Sequence, residues 1–310
     1  MKEDQNYDTI IIGGSYAGMS AALALGRSLR KTLIIDAGLP CNRQTPHSQN
    51  FLTQDGNPPP QIAAIAREQL KKYETLEFKS AFVREASISA ELISVTTDSG
   101  ESYFGRKIII ATGIKDQLPK IPGLAECWGI SVIHCPYCHG YEYKGRKTGI
   151  LANGDAAVHY AMLVRRLTSD LFIFTNGEAD FGKESLALLE KNGIPVIEKE
   201  IVQLEHREGY LKELVFKDGK THSLDALYAR VPFEQPSAIP AMLGCKINEQ
   251  GYIETDPMQK TTVANVYACG DNCSPMRSVA NAVAGGNLAG AMANAELSKE
   301  EFDFGLKPFD

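Results

Sequence analysis

The sequence predicts an α/β protein of two parallel-sheet units, the first of them discontinuous. Three features carry that prediction: a β-α-β pattern at the N-terminus and another in mid-chain, proline-bearing segments on either side of the second, and a closing apolar strand followed by a small-residue helix. Strands alternating with helical stretches are what a parallel sheet needs, because each parallel pair requires a crossover.

Taken in order, residues 9–12 are a short β-branched run broken at once by Gly13 and Gly14, which marks a buried parallel strand. Residues 17–29 have helical composition, and 32–36 form the second strand of the unit. Prolines interrupt the pattern at 57–60, and helical spacing resumes over 62–74. Alternation at 78–83 and 88–96, with Asp98, Ser99 and Gly100 as a turn, predicts an antiparallel meander, and 107–113 a further buried strand. LPKIPG at 118–123 reads as a linker. The second unit then runs as strand, turn and helix over 148–167, strand over 171–175 and helix over 184–193. Prolines at 231–236 bring the chain back to a strand and turn at 265–271 and a helix over 279–295. The expected partition is 1–116 with 238–310 as one domain and 117–237 as the insert.

At 310 residues, with 44% hydrophobic and 23% charged side chains, the chain has a globular composition. A net charge of −6 argues against a general binder of nucleic acid or membrane surfaces, both of which are polyanionic. No apolar run approaches the roughly 18 residues of a membrane-spanning helix, and the start MKEDQNYDT is polar and acidic, unlike a secretory leader. A cytoplasmic location is therefore expected. Seven scattered cysteines are not a secreted disulfide framework, so any redox role must rest on a specific pair.

GGSYAG occupies residues 13–18, where a G-x-G-x-x-G fingerprint would set a dinucleotide pyrophosphate on a helix N-terminus. Asp36 ends the next strand in position to accept ribose hydroxyls. This pattern is Rossmann-like with one departure: Ser15 stands where a central glycine would let the backbone approach the pyrophosphate. By itself it fits a tight turn opening an ordinary helix equally well. IIIATG at 108–113 and NVYACGD at 265–271 each end a strand in small residues, the latter with Asp271 suited to a ribityl hydroxyl.

The sharpest motif is Cys135-Pro136-Tyr137-Cys138 followed by His139. Two thiols at this spacing can close a small disulfide, and a nearby base or helix N-terminus lowers a thiol pKa into a usable range. An imidazole beside them can carry a proton near neutrality. Half a zinc site and two incidental buried thiols are the other readings; the flanking His134 and His139 would then be ligands, although no second C-x-x-C exists.

Together, GGSYAG, IIIATG and NVYACGD resemble the FAD-binding segments of two-dinucleotide-domain flavoproteins, over residues 10 to about 290. CPYC just after the linker resembles the redox disulfide of low-molecular-weight thioredoxin reductases, and the whole chain is similar to that family. The resemblance implies an FAD cofactor, no metal, and cofactor contacts at Gly13, Ser15, Tyr16, Ala17, Gly18, Asp36, Ala37, Asn50, Thr112, Gly113, Gly270, Asp271 and Val279. It also implies that Cys138 faces the flavin, that Cys135 exchanges with the substrate, that His139 relays protons, and that the protein is a homodimer. Typical members carry aspartate at the His139 position. CPYCHG is similar to the family's dithiol oxidases of small secondary metabolites, which leaves the direction of electron flow open.

The mid-chain unit departs from the family where NADPH should bind. Its fingerprint reads ANGDAA at 152–157, and the expected basic segment reads TNGEADFGK at 175–183, with Glu178 and Asp180 where arginines would hold a 2′-phosphate. The nearby Arg165 and Arg166 read as a solvated helix face. The electron source is then NADH, a protein donor such as ferredoxin or flavodoxin, or a dithiol substrate, with oxygen as acceptor in the last case. The expected partner is a thioredoxin-like protein or a small dithiol or disulfide; a non-catalytic flavin redox sensor is the rival from another class. Phe302, Phe304 and Phe309 lie in an acidic tail that reads as a disordered or surface-docked end, or as a cover for a flavin ring.

Overall fold

The structure is a computed structural model that describes residues 6–89 and 92–305. In chain order, the first unit contains β1 (Asn6–Ile12), α1 (Tyr16–Arg27), β2 (Thr32–Asp36), α2 (Pro59–Leu70), β3 (Leu76–Ser80), β4 (Val83–Ser89), β5 (Leu92–Thr97) and β6 (Ser102–Ile110). A two-residue strand, β7 (Lys115–Asp116), leads into the second unit. This unit holds α3 (Leu124–Cys127), β8 (Val132–Ile133), α4 (Pro136–His139), β9 (Thr148–Leu151), α5 (Gly154–Val164), β10 (Leu171–Phe174), α6 (Lys183–Lys191) and β11 (Val196–Ile197). It continues through β12 (Ile201–Arg207), β13 (Tyr210–Phe216), β14 (Thr221–Ser223) and β15 (Ala226–Ala229). The chain returns through β16 (Phe233–Glu234) to α7 (Ile239–Met242), β17 (Val266–Ala268) and α8 (Val279–Phe304).

The first sheet runs β3-β2-β1-β6-β5-β4, with β17 also on β6. Its central strands are parallel and covered on both faces, which explains their unbroken isoleucines. Ile10, Ile12, Ile108 and Ile110 enter the core on one face, while Ile11, Ile34 and Ile109 enter the other beneath α1 and α8. The two helices touch through small residues. A Cβ on Gly286 would overlap the carbonyl of Ala17, and one on Gly290 that of Ala21.

Three expectations need correction. The stretch expected at 78–83 as the start of an antiparallel meander divides: β3 pairs parallel with β2, and the meander proper is β4-β5-β6. Helix α2 is the reason, since it supplies the crossover that returns the chain parallel to β2. α2 itself starts at Pro59, a helical first-turn position where a missing N–H costs nothing. α8 runs to Phe304 rather than to 295, because nothing breaks it before Gly305, whose φ is +67°.

The far end of α8 is held by ions. Glu301 pairs with Arg30 and Arg106, Glu300 with Arg106 and the buried Lys107, and Glu296 with Lys107 and Lys260. Arg106 and Lys107 lie in the middle of β6, beside the N-terminal half of β1, so the tail is anchored away from the sheet's C-terminal edge. Phe302 and Phe304 are exposed there and do not cover the chain's own site; Phe309 lies outside the described residues.

The second sheet is all parallel, in the order β11-β10-β9-β15-β8, with an antiparallel β12-β13-β14 sheet beside it. Both crossings between units pass through one short ribbon, in which β7 pairs antiparallel with β16. An ion pair of 2.8 Å between Lys115 and Glu234 closes it. Among the described residues, no helix is long and apolar enough to cross a membrane.

Candidate functional site

A long cavity opens at the C-terminal ends of β1, β2, β6 and β17, where open α/β sheets bind ligands, and is closed from above by residues of the second unit. Its floor requires glycine. Gly13 has a φ of +104°, and a Cβ there would overlap the carbonyl of Ala111. Gly18 sits behind the wall, where any Cβ would overlap the carbonyl of Gly13. Ser15 is the N-cap of α1 but its side chain makes no capping bond, and the helix begins instead with Met19 N–H donating to the Ser15 carbonyl at 2.8 Å. Asp36 accepts from the Gly14 N–H at 3.1 Å and lies 3.4 Å from Arg67. Tyr16, Ala17 and Ala37 line the same end.

Toward the second unit the wall is Thr112, Gly113, Gly270, Asp271 and Val279. Burial raises the Asp271 pKa, opposed by Arg277 at 3.9 Å. Of the expected contacts, Asn50 stands apart: it is exposed, with its N–H donating to Asp55 at 2.6 Å, and it does not line the cavity.

The redox motif enters from β8. This strand is locked onto β15 through Val132 and Ile133, and the chain then passes through His134 to Cys135, the N-cap of α4, with Pro136 at the helix's first position. Cys135 and Cys138 are joined in a disulfide. Cys138 lines the cavity and Cys135 does not; Tyr137 between them is exposed. His139 also lines it, with neither ring nitrogen partnered among the described residues, and burial pulls its pKa down to about 4.

Several residues in the wall or just behind it carry no sequence motif of their own. Arg277 donates to both carboxylate oxygens of Asp116 at 2.9 Å, and this pair ties the crossover ribbon to the start of α8. Trp128 and His134 line the second unit's side. Asn272 is fully buried and donates to the Ile110 carbonyl at 2.9 Å, holding the Gly270 turn against β6. No local sequence signal joins Asp116 to Arg277, which lie 161 positions apart.

The second unit's fingerprint is folded against its own loop. Asn153 caps Gly154 at 2.9 Å, accepts from the Asp180 N–H at 2.8 Å, and donates to the Glu178 carbonyl at 2.8 Å. The loop after β10 is thereby drawn onto the N-terminus of α5, which is where a pyrophosphate would otherwise rest.

The pyridine nucleotide-disulphide oxidoreductase family matches residues 7–286. The chain belongs to that family. Within it, the chain is similar to thioredoxin reductase tcpT of Claviceps purpurea, with 30% identity over 301 residues covering 94% of each chain. It is similar also to thioredoxin reductase of Bacillus subtilis, with 29% identity over 312 residues, 93% of this chain and 94% of the other. A solved oxidoreductase from Agrobacterium tumefaciens superposes with a TM-score of 0.89 at 38% identity, covering 95% of this chain and 99% of that one. This pyridine nucleotide-disulphide oxidoreductase is a thioredoxin reductase-like, flavin-dependent enzyme with FAD as its cofactor. The cavity fits that group: a floor that only glycine satisfies, a carboxylate at each end in Asp36 and Asp271, and buried imidazole nitrogens free to take a partner.

Proposed function

We propose that the protein exchanges two electrons between FAD and the Cys135/Cys138 pair, and exchanges thiols for disulfides with a thioredoxin-like protein or a small dithiol through Cys135. The observation that carries this reading is the division of the pair, with Cys138 in the cavity wall and Cys135 outside it. Gly13, Ser15, Tyr16, Ala17, Asp36 and Ala37 would hold the adenosine diphosphate part, and Thr112, Gly113, Gly270, Asp271 and Val279 the flavin part. FAD, when bound, supplies a store for one electron pair.

The residues of the chain do the rest. A substrate thiolate attacks the Cys135 sulfur, the Cys135–Cys138 bond breaks, and Cys138 leaves as a thiolate facing the cavity. The second substrate thiol then displaces Cys135 from the mixed disulfide, closing the substrate's own disulfide. His139, neutral in the oxidised protein, takes up a proton released by the substrate, and the new thiolate beside it raises its proton affinity. Run backwards, the same steps reduce a disulfide.

Among electron sources, the Asn153 contacts argue against NADPH; were a dithiol the donor, oxygen would receive two electrons and two protons as hydrogen peroxide. NADH, ferredoxin and flavodoxin remain the reductive donors to compare. We place the units at 1–116 with 238–310 and at 117–237, and expect a homodimer. Anaerobic titration of the yellow protein with NADPH, NADH, reduced ferredoxin and dithiothreitol, following the flavin's visible absorption, tests the reading. Bleaching by the dithiol and not by NADPH is expected. Rapid bleaching by NADPH would restore an ordinary reductase, and no bleaching by the dithiol would remove the exchange itself.

A further inference from the structure

His134 has no part in the exchange just described, yet the fold fixes it tightly. It stands at the C-terminal end of β8, a buried parallel strand. Its carbonyl accepts from the Tyr160 hydroxyl at 2.8 Å, and its ring lies nearly flat against Trp128, with centroids 6.1 Å apart and planes 28° off parallel. The ring lines the cavity with Cys138 and His139, and its Nε2 is buried with no partner among the described residues. A buried nitrogen held in one orientation is costly to leave unbonded, so its place in the wall calls for a ligand atom opposite.

Two facts locate that atom. Arg277, which lies beside Asp271, is close enough to act on the His134 charge, as is His139. His139 follows Cys138 within α4, so these neighbours place the His134 ring beside the redox pair. Burial and the Arg277 charge press the His134 pKa down to about 3, so the imidazole stays neutral and is a poor proton carrier. Its neutral ring still offers one hydrogen bond through Nε2.

We propose that Nε2 of His134 hydrogen-bonds the polar edge of the flavin ring and so orients it toward Cys138, making His134 a positioning residue distinct from His139. This rests on Cys138 marking the flavin end of the cavity. Trp128 and Tyr160 set the angle, and the bond joins the second unit to a cofactor held by the first.

The test uses the purified holoprotein and two substitutions that lose the Trp128 stack alike. In His134→Gln the side-chain amide reaches the Nε2 position, whereas in His134→Asn it reaches only that of Nδ1. The readouts are the flavin's visible spectrum, its midpoint potential and its dissociation constant. His134→Asn is expected to shift the absorption bands and the potential and to weaken FAD binding about 5-fold to 10-fold, the worth of one hydrogen bond, with His134→Gln restoring most of each. Equal behaviour of the two variants, or no change in either, overturns the proposal. Should the asparagine variant fail to fold, His134→Gln against His134→Leu decides on the same readouts. Cys138→Ser, measured in parallel for reduction by dithiothreitol, reports separately on the thiol exchange, so the two readings can fail independently.

Discussion

Acid should destabilise this protein through the imidazole beside its redox pair, and His139→Gln isolates the effect. Burial holds the folded-state pKa of His139 at about 4, whereas in the unfolded chain an imidazole titrates near 6.5. Between those values the unfolded chain binds the extra proton and the folded one does not, so the free energy of unfolding rises with pH. The His139 contribution is therefore intact above about pH 6.5 and is lost as the pH falls toward 4, at about 1.4 kcal/mol per pH unit. Between pH 6.5 and 4.5 the loss amounts to about 2 kcal/mol, a large share of a typical domain stability. Urea unfolding at the two pH values, with FAD in excess, measures the drop in wild type and in His139→Gln. The wild-type drop should exceed that of the variant by about 2 kcal/mol. Equal drops would show that the ring is solvated in the folded state and would refute the argument from burial.

Three further outcomes follow from the geometry. Cys138→Ser should keep flavin bound but abolish its bleaching by dithiols, whereas Cys135→Ser should retain electron exchange between flavin and Cys138, a difference that anaerobic stopped-flow absorption resolves. Gly286→Ala should destabilise the first unit by about 1–3 kcal/mol, because its Cβ would meet the Ala17 carbonyl where α1 and α8 touch; the urea midpoint reports it. Asp116→Asn should cost about 1.5–3 kcal/mol in the same assay, since the buried Arg277 would lose its two-bond carboxylate and keep only Asp271 at 3.9 Å.

The parts of the fold legible in the sequence are those where the backbone itself is constrained. Gly13 and Gly18 have no room for a side chain, and the runs at 9–12 and 107–110 are buried on both faces, so glycine turns and unbroken isoleucines stand out without a structure. Cys135 and Cys138 are adjacent in sequence and in space for the same reason, a single helical turn. Contacts between distant segments were not legible. Nothing local announces that Asp116 meets Arg277 across 161 positions, or that Asn153 holds Glu178 and Asp180. The direction of β3 was misjudged because alternation reports which faces are buried and says nothing of the neighbour's polarity. The length of α8 was missed because its last turns are held by Arg30, Arg106 and Lys107 rather than by an apolar stripe.

The pairing of β7 with β16 has an engineering consequence. Residues 115–116 and 233–234 are neighbours on one ribbon, so the segment between them enters and leaves through a single doorway about 5 Å wide. A host sheet whose two cut ends already lie side by side keeps its register whatever is spliced between them, which makes this segment a cassette that could be exchanged for another thiol-bearing one.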